Sequence, residues 1–263
     1  MPNRRDVVYY YDGSFEGLMC CVFESFMQKE IPLSLNAPDC RQMTLFPTKE
    51  IQTDEAKAHR VLRSIPQKIC PEAAWFIRRA FLTCLPEKER YILLFLHKGF
   101  QNGAKTMRML ADETVNTLDK SVRNLGNEAH LLSGFIRFSI YGQVMAAQIS
   151  PKNFVLPILG PHFAQRYPDE SFLIYDSTHE MALTYEQERL NIRPVEDFSM
   201  PAPTEEEQQL QKLWKMFYRT IAIEGRYNPR CRMSMMPKRY WQNMTEFADD
   251  YKNTDLTCLP IQT

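Results

Sequence analysis

Glycine is scarce in this chain, nine in 263 residues, and none stands in the Gly-x-Gly-x-x-Gly spacing that lets a backbone cradle a dinucleotide. Gly99-Phe-Gln-Asn-Gly103-Ala-Lys105-Thr106 approaches a P-loop and fails it, because one residue too few separates the glycines and Ala104 precedes the lysine. The seven cysteines (Cys20, Cys21, Cys40, Cys70, Cys84, Cys231, Cys258) include no C-x-x-C pair. Structural zinc and iron–sulfur clusters need closely spaced thiolates, so no metal and no other cofactor is expected. No run approaches the ~20 apolar residues of a membrane span, and MPNRRDVVYYYDG carries no apolar signal core. An odd number of unclustered thiols suits a reducing compartment, so the expected location is the cytoplasm. Net charge is lacking too, with 32 Lys and Arg against 32 Asp and Glu.

What is present is a real core and a segregated charge. Hydrophobic residues make up 44% and aromatics 12%, which excludes disorder over the whole length. The run from Leu213 to Trp241 concentrates the positive charge. Leu210, Leu213, Trp214, Phe217 and Ile221 recur at three- and four-residue spacing, which predicts a helix with one buried stripe. Beyond it, Arg219, Arg226, Arg230, Arg232, Lys238 and Arg239 alternate with Tyr218, Tyr227, Tyr240 and Trp241. Cations neutralise phosphates and flat rings stack bases, so this arm has the composition of a nucleic-acid surface. The same residues also read as a plain solvated face, and Met233, Met235, Met236 and Trp241 as an adaptable apolar face for a protein partner. Pro229 and Pro237 are expected to hold the arm extended.

Taken in order, Asp6–Tyr11 reads as a strand and Asp12-Gly13-Ser14 as a turn, with Ser14 capping a helix over Phe15–Lys29. Residues 32–53 read as a long loop, ending in a short strand at 49–53. Helices are predicted from Asp54 to about Arg63, over Pro71–Leu82 and over Pro86–Lys98, then over Ala104–Leu132 with breaks near Asp112 and Gly126. From Ser133 the period changes to two. Gly134–Tyr141 with Val144–Ile149, and Ser171–Asp176 with Glu180–Tyr185, predict hairpins, followed by a further strand near Leu190–Glu196. A helix over Asn153–Tyr167, interrupted at Gly160-Pro161, lies between them. The fold class expected is α+β: an N-terminal strand and helix, a helical middle, an antiparallel hairpin sheet with packed helices, and a basic C-terminal helix and arm. A single compact domain over 1–250 is expected, with a helical subregion at about 54–132, a hairpin subregion at about 133–196, a basic helix and arm at about 204–241, and a tail at 251–263.

Several stretches carry a resemblance as a set: Tyr11-Asp12-Gly13-Ser14-Phe15-Glu16-Gly17-Leu18, Glu128-Ala129-His130 with Gly134-Phe135-Ile136-Arg137-Phe138, Pro161-His162-Phe163, Tyr175-Asp176 with His179, and Met236-Pro237-Lys238-Arg239-Tyr240-Trp241. From about Val7 to Glu246 the chain resembles the bacterial "probable DNA metabolism protein" family, a domain of unknown function. That family commonly accompanies a radical-SAM protein of DNA modification or repair, and in longer relatives is fused to a uracil-DNA glycosylase domain. The resemblance implies a DNA-repair or DNA-modification setting and a radical-SAM partner. A radical-SAM enzyme needs three clustered cysteines, which this chain lacks, so the partner would carry that chemistry.

Asp12 and Glu16, one helical turn apart, together with His162, Asp176 and His179, are the candidates for an acidic–imidazole catalytic site. Each also has an ordinary explanation: Asp12 as a cap, His162 as a half-buried ring, and Asp176 as the anchor of a turn holding His179. Glu128 and His130 diverge on a helix and share no ligand. The leading expectation is a DNA-associated accessory protein of a radical-SAM enzyme, more a partner than a catalyst. Its DNA-binding residues would be Arg219, Arg226, Arg230, Arg232, Lys238, Arg239, Tyr227, Tyr240 and Trp241, and no membrane is involved. A nucleic-acid hydrolase or lyase, and a protein adaptor without DNA contact, are the alternatives.

Overall fold

A computed structural model describes residues 3–4, 6–38, 44–196, 198–226 and 228–248 of the chain. The architecture is α+β, as expected, and the chain divides into two compact units, Met1–Gly126 and Asn127–Thr263.

In the first unit, a two-residue strand β1 (Asn3–Arg4) precedes β2 (Val8–Tyr10). Gly13, at φ +81°, turns the chain in the left-handed region that glycine favours. Ser14 then caps α1 (Phe15–Gln28), its hydroxyl accepting from the Gly17 amide at 2.9 Å. Strand β3 (Glu30–Ile31) pairs with β1, while β4 (Ser34–Asn36) and β5 (Thr48–Glu50) flank β2 on either side, both parallel to it. The supposed loop therefore supplies β4 as well as the expected strand. Ser34-Leu35-Asn36 has a single apolar residue and no readable period; pairing with β2 makes it a strand.

Helices α2 (Glu55–Lys68), α3 (Pro71–Phe81) and α4 (Lys88–Asn102) follow, then a 3₁₀ helix (Gly103–Arg108) and α5 (Glu113–Phe135). Because α4 is helical through Tyr91–Leu96 and on past Gly99, Gly99 lies inside the helix, Gly103 stands at its junction with the 3₁₀ helix, and the stretch forms no phosphate loop. Asp112 makes the expected break by accepting from the amides of Thr114 and Val115. Gly126 makes none, and α5 runs through it. A helical glycine costs only about 1 kcal/mol relative to alanine, and the neighbouring burial of Leu125 outweighs it. The core gathers Tyr9, Leu18, Met19, Ile65, Ile77, Phe95 and Leu96.

A polar network is sealed beside that core. Ser25 Oγ has one proton, donated to the Glu30 carbonyl at 2.5 Å, so its 2.8 Å contact with His97 is donated by Nε2–H. Tyr9 donates to the Glu30 carboxylate at 2.5 Å, and Phe26 stacks on His97 with centroids 4.0 Å apart.

In the second unit, β6 (Ser139–Tyr141) and β7 (Val144–Ile149) form a hairpin turned at Gly142, where φ is +65°. Helix α6 (Leu156–Arg166) leads to β8 (Ser171–Asp176), β9 (Met181–Glu186) and β10 (Arg189–Pro194). The sheet order is β10-β9-β8-β7-β6. The hairpins are antiparallel, but β7 and β8 run parallel, Val144 opposite Ser171 and Ile149 opposite Asp176, because α6 forms the crossover between them. Gly134 and Phe135 end α5 instead of beginning a strand. The expected interruption of α6 at Gly160-Pro161 is absent. A Cβ on Gly160 would lie 2.7 Å from Leu183 Cδ1, so α6 is pressed onto β9 there, and that packing overrides local propensity.

The C-terminal part holds α7 (Glu205–Thr220), a 3₁₀ turn (Glu224–Arg226), α8 (Pro229–Met235) and a second 3₁₀ helix (Lys238–Asn243). Two expectations fail here. Leu210, Leu213, Trp214, Phe217 and Ile221 form no buried stripe: they are 38–57% exposed. Helix α7 docks by polar groups instead, Glu207 accepting from the Ile140 amide at 3.1 Å and Gln211 donating to Ser139 Oγ at 3.1 Å along edge strand β6. The arm is also not extended. Pro229 sits in the first turn of α8, where its missing N–H is not needed, and Pro237 leads into a 3₁₀ helix. Among the described residues, no helix is long and apolar enough to cross a membrane.

Burial pulls the His97 pKa down to about 4. The neutral ring therefore stabilises the fold fully above the unfolded value near 6.5, and that stability is lost as pH falls from there toward 4. Urea midpoints measured across this window should fall for the wild type. They should fall less steeply for His97→Gln, which is less stable at neutral pH but takes up no proton.

Candidate nucleic-acid interface

The catalytic candidates fall into both units. Asp12 and Glu16 belong to the first; His162, Asp176 and His179 belong to the second. Both carboxylate oxygens of Asp12 are engaged, Oδ1 by the Ser14 amide at 2.9 Å and hydroxyl at 2.6 Å, Oδ2 by Thr53 at 2.7 Å. Burial raises its pKa, the Ser14 and Thr53 hydrogen bonds lower it, and the balance is downward. Asp12 thus organises the turn ahead of α1, and Glu16 lies exposed in the first turn of that helix.

Asp176, fully buried at the end of β8, accepts from the amides of Thr178 (3.0 Å) and His179 (3.2 Å) and meets His179 Nδ1 at 2.7 Å. This carboxylate–imidazole pair closes the β8–β9 turn. His162 lies exposed on α6, edge-on to Phe163, and no hydrogen bond joins it to the pair. Beside the turn, Ser177 donates to the Ile149 carbonyl at 3.1 Å, so Ser150 donates to Ser177 at 2.8 Å and accepts from Asn243 at 3.1 Å. These hydroxyls tie β7, β8 and the last 3₁₀ helix together. Among the described residues, no three His, Cys, Asp or Glu side chains gather as metal ligands.

The basic segment divides sharply into anchored and outward residues. Glu128, buried at the end of α5, accepts from the amides of Lys152 (3.1 Å) and Asn153 (2.8 Å), from Asn153 Nδ2 (2.6 Å) and from the Tyr240 hydroxyl (3.1 Å). Arg239 completes the set at 3.1 Å and also bonds Tyr240 Oη. Burial raises the Glu128 pKa, but the Asn153 and Lys152 amides, the Asn153 side chain and Arg239 hold it below the ordinary carboxylate value. Glu246 is a second anchor, bonded by Arg137 at 2.7 and 3.2 Å and by Trp214 Nε1 at 3.1 Å. Exposed His130 takes no part.

Tyr240 and Trp241 are only 3% and 5% exposed, which corrects the expectation that they stack bases. Tyr240 is spent on Glu128, and Trp241 donates to the Met236 carbonyl at 2.9 Å and stacks on Phe247 at 4.8 Å. Arg232 lies over Trp241 and Phe247, 5.1 and 5.2 Å from their centroids, and Lys238 approaches Trp241 at 5.8 Å. Tyr227 is outside the described residues.

Arg219, Arg226 and Arg230 are exposed and have no carboxylate partner among the described residues. Arg219, Arg226 and Arg232 line a cleft of about 940 Å³ formed by the end of α7, the 3₁₀ turn and the start of α8. Tyr218, Asn228, Ile221 and Ile223 also line it, and among the described side chains no carboxylate does. Tyr218 sits half-buried with its ring edge-on to Phe247. It is therefore the described aromatic of the arm that the cleft presents. The sequence places Tyr218 among the interleaved rings, but its position on a predicted apolar helix hides this role.

Residues 86–246 match the family described as a domain of unknown function, DUF4130. The chain belongs to that family. No curated protein matches it. The DUF4130 region takes in both anchors and the whole cleft, so the division between pinned and outward cations lies within the family's own segment.

Replacing Glu128 by alanine strands the Arg239 charge and several buried donors, and should destabilise the second unit by about 3 kcal/mol. Arg239→Ala, whose guanidinium is partly exposed, should cost about 1 kcal/mol. Thermal denaturation of both variants checks the order, and a larger loss for Arg239→Ala would contradict the anchoring role.

Proposed function

We propose that this protein is a DNA-associated accessory protein that works with a radical-SAM repair or modification enzyme and holds nucleic acid at the C-terminal cleft. The cleft itself carries this reading. Arg219 at the end of α7 and Arg226 in the 3₁₀ turn line it and are exposed, Arg230 is exposed at the start of α8, and no carboxylate among the described lining side chains competes for them. Such a surface attracts a polyanion, and Tyr218 offers a ring to an unstacked base. The radical-SAM partner comes from the family resemblance, and this chain's lack of a cysteine triplet fits a division of labour.

One observation favours the adaptor reading. The α7 stripe exposes Leu210, Leu213, Trp214, Phe217 and Ile221 along one helix face, and apolar patches of this kind mark partner surfaces. An accessory protein can use both, the stripe for its enzyme and the cleft for DNA. The hydrolase reading has less to draw on, since Asp176 and His179 are engaged in their turn and Asp12 is engaged in its own.

Titration of labelled DNA at several salt concentrations tests the cleft. Arg219→Ala/Arg226→Ala/Arg230→Ala should bind more weakly and flatten the log–log salt slope by about two, given roughly 0.7–0.9 for each lost phosphate contact. Arg239→Ala should leave the slope unchanged. If the triple variant binds as the wild type does, the cleft is not the DNA surface.

A further inference from the structure

The first unit carries a second cationic surface. Helix α2 buries Ala58, Val61 and Ile65 and turns the opposite face to solvent. That face repeats at helical spacing, His59, Arg60, Arg63, Ser64, Gln67 and Lys68, and lines a shallow hollow of about 680 Å³ with no carboxylate among its described lining residues. Arg60, Arg63 and Lys68 are exposed and have no carboxylate partner among the described residues. Lys57 is set apart, because it faces Glu24, which is already bonded by Lys49 at 2.6 Å.

A second, apolar groove of about 220 Å³ adjoins this hollow and shares Arg60, Ser64 and Lys68 as a common wall. Its other side is Phe23, Phe26, Met27 and Phe100. Arg60 lies 5.7 Å from the Phe23 centroid and Lys68 5.8 Å from that of Phe100, so the cations lean over the aromatic floor. Phe26 is backed by the His97 ring, yet 37% of it remains exposed. A rigidly backed, exposed ring beside a row of cations without carboxylate partners among the described residues suits a ligand that alternates negative charges with flat apolar groups.

We propose that this face of α2 binds single-stranded nucleic acid, with phosphates along Arg60, Arg63 and Lys68 and an unstacked base on Phe26. A duplex keeps its bases stacked and cannot offer one to the ring, so the site selects single strands. The surface stands independently of the C-terminal cleft, and variants of the full chain separate the two.

The test titrates a labelled single-stranded oligonucleotide and the matching duplex against wild type, Arg60→Ala/Arg63→Ala/Lys68→Ala, and the triple variant of the cleft. The α2 variant should lose single-strand affinity and flatten the single-strand salt slope by about two. Phe26→Ala should weaken binding roughly tenfold at an unchanged slope. Because removing a ring stacked on His97 risks the fold, the wild type is also photocrosslinked to a 5-iodouracil oligonucleotide, and the crosslinked peptide should contain Phe26. An α2 variant with wild-type affinity and slope, or crosslinks confined to residues 218–239, overturns the inference and leaves the cleft standing. Loss in the α2 variant alone supports it and overturns the cleft. A cleft variant that still binds duplex as tightly as single strand overturns the single-strand assignment, and a wild type that binds neither form overturns both surfaces.

Discussion

A carboxylate buried away from water has to have its lone pairs met by protein donors, and Glu128 is where the second unit meets that demand. Its donors come from distant stretches: the backbone at Lys152 and Asn153, the Asn153 side chain, Tyr240 and Arg239. Satisfying one charge therefore brings the end of α5, the segment after β7 and the last 3₁₀ helix together. Glu246 repeats the device with Arg137 and Trp214. Between these two staples Arg219, Arg226 and Arg230 face outward. The anchors thus sort the basic segment into residues that hold the fold and residues that remain for a ligand.

That sorting shapes the functional reading. A neutral protein gains nothing from its net charge when it meets a polyanion, so attraction has to come from local concentration. Two places concentrate cations with no carboxylate among their described lining side chains, the cleft after α7 and the outer face of α2, and each sets an aromatic ring beside them. The exposed stripe of α7 is of another kind, apolar and suited to a protein surface. A protein with surfaces of both kinds has the equipment of a mediator, whereas its carboxylate–histidine pair is occupied in holding a turn.

Much of the fold was legible along the chain because it rests on local chemistry. Ser14 and Asp54 cap helices as their types predict, Asp112 breaks the helical run, and the period-two stretches from Ser139 onward become hairpins. The misreadings share one cause. Strand β4, the unbroken α6 through Gly160-Pro161, and the parallel pairing of β7 with β8 all depend on a partner far along the sequence. The α2 surface was missed for a related reason: Arg60, Arg63 and Lys68 are scattered in sequence and stand out only once the groove of Phe23, Phe26 and Phe100 is seen beside them.

By itself the sequence determined the α+β class, the order of most helices and the capped starts of several, the concentration of cations after residue 213, and the lack of clustered metal-binding thiols. Composition, capping and short-range periodicity are sufficient for those. Only the tertiary structure decided which cations are free and which rings are covered. Arg230 and Arg239 are the same residue type nine positions apart, yet one is exposed and the other is tied to Glu128, more than a hundred residues earlier. Trp241 and Phe26 are both aromatic, yet one is stacked away on Phe247 and the other remains partly exposed. Burial and charge pairing come from contacts between distant segments, and those contacts first exist in the folded chain.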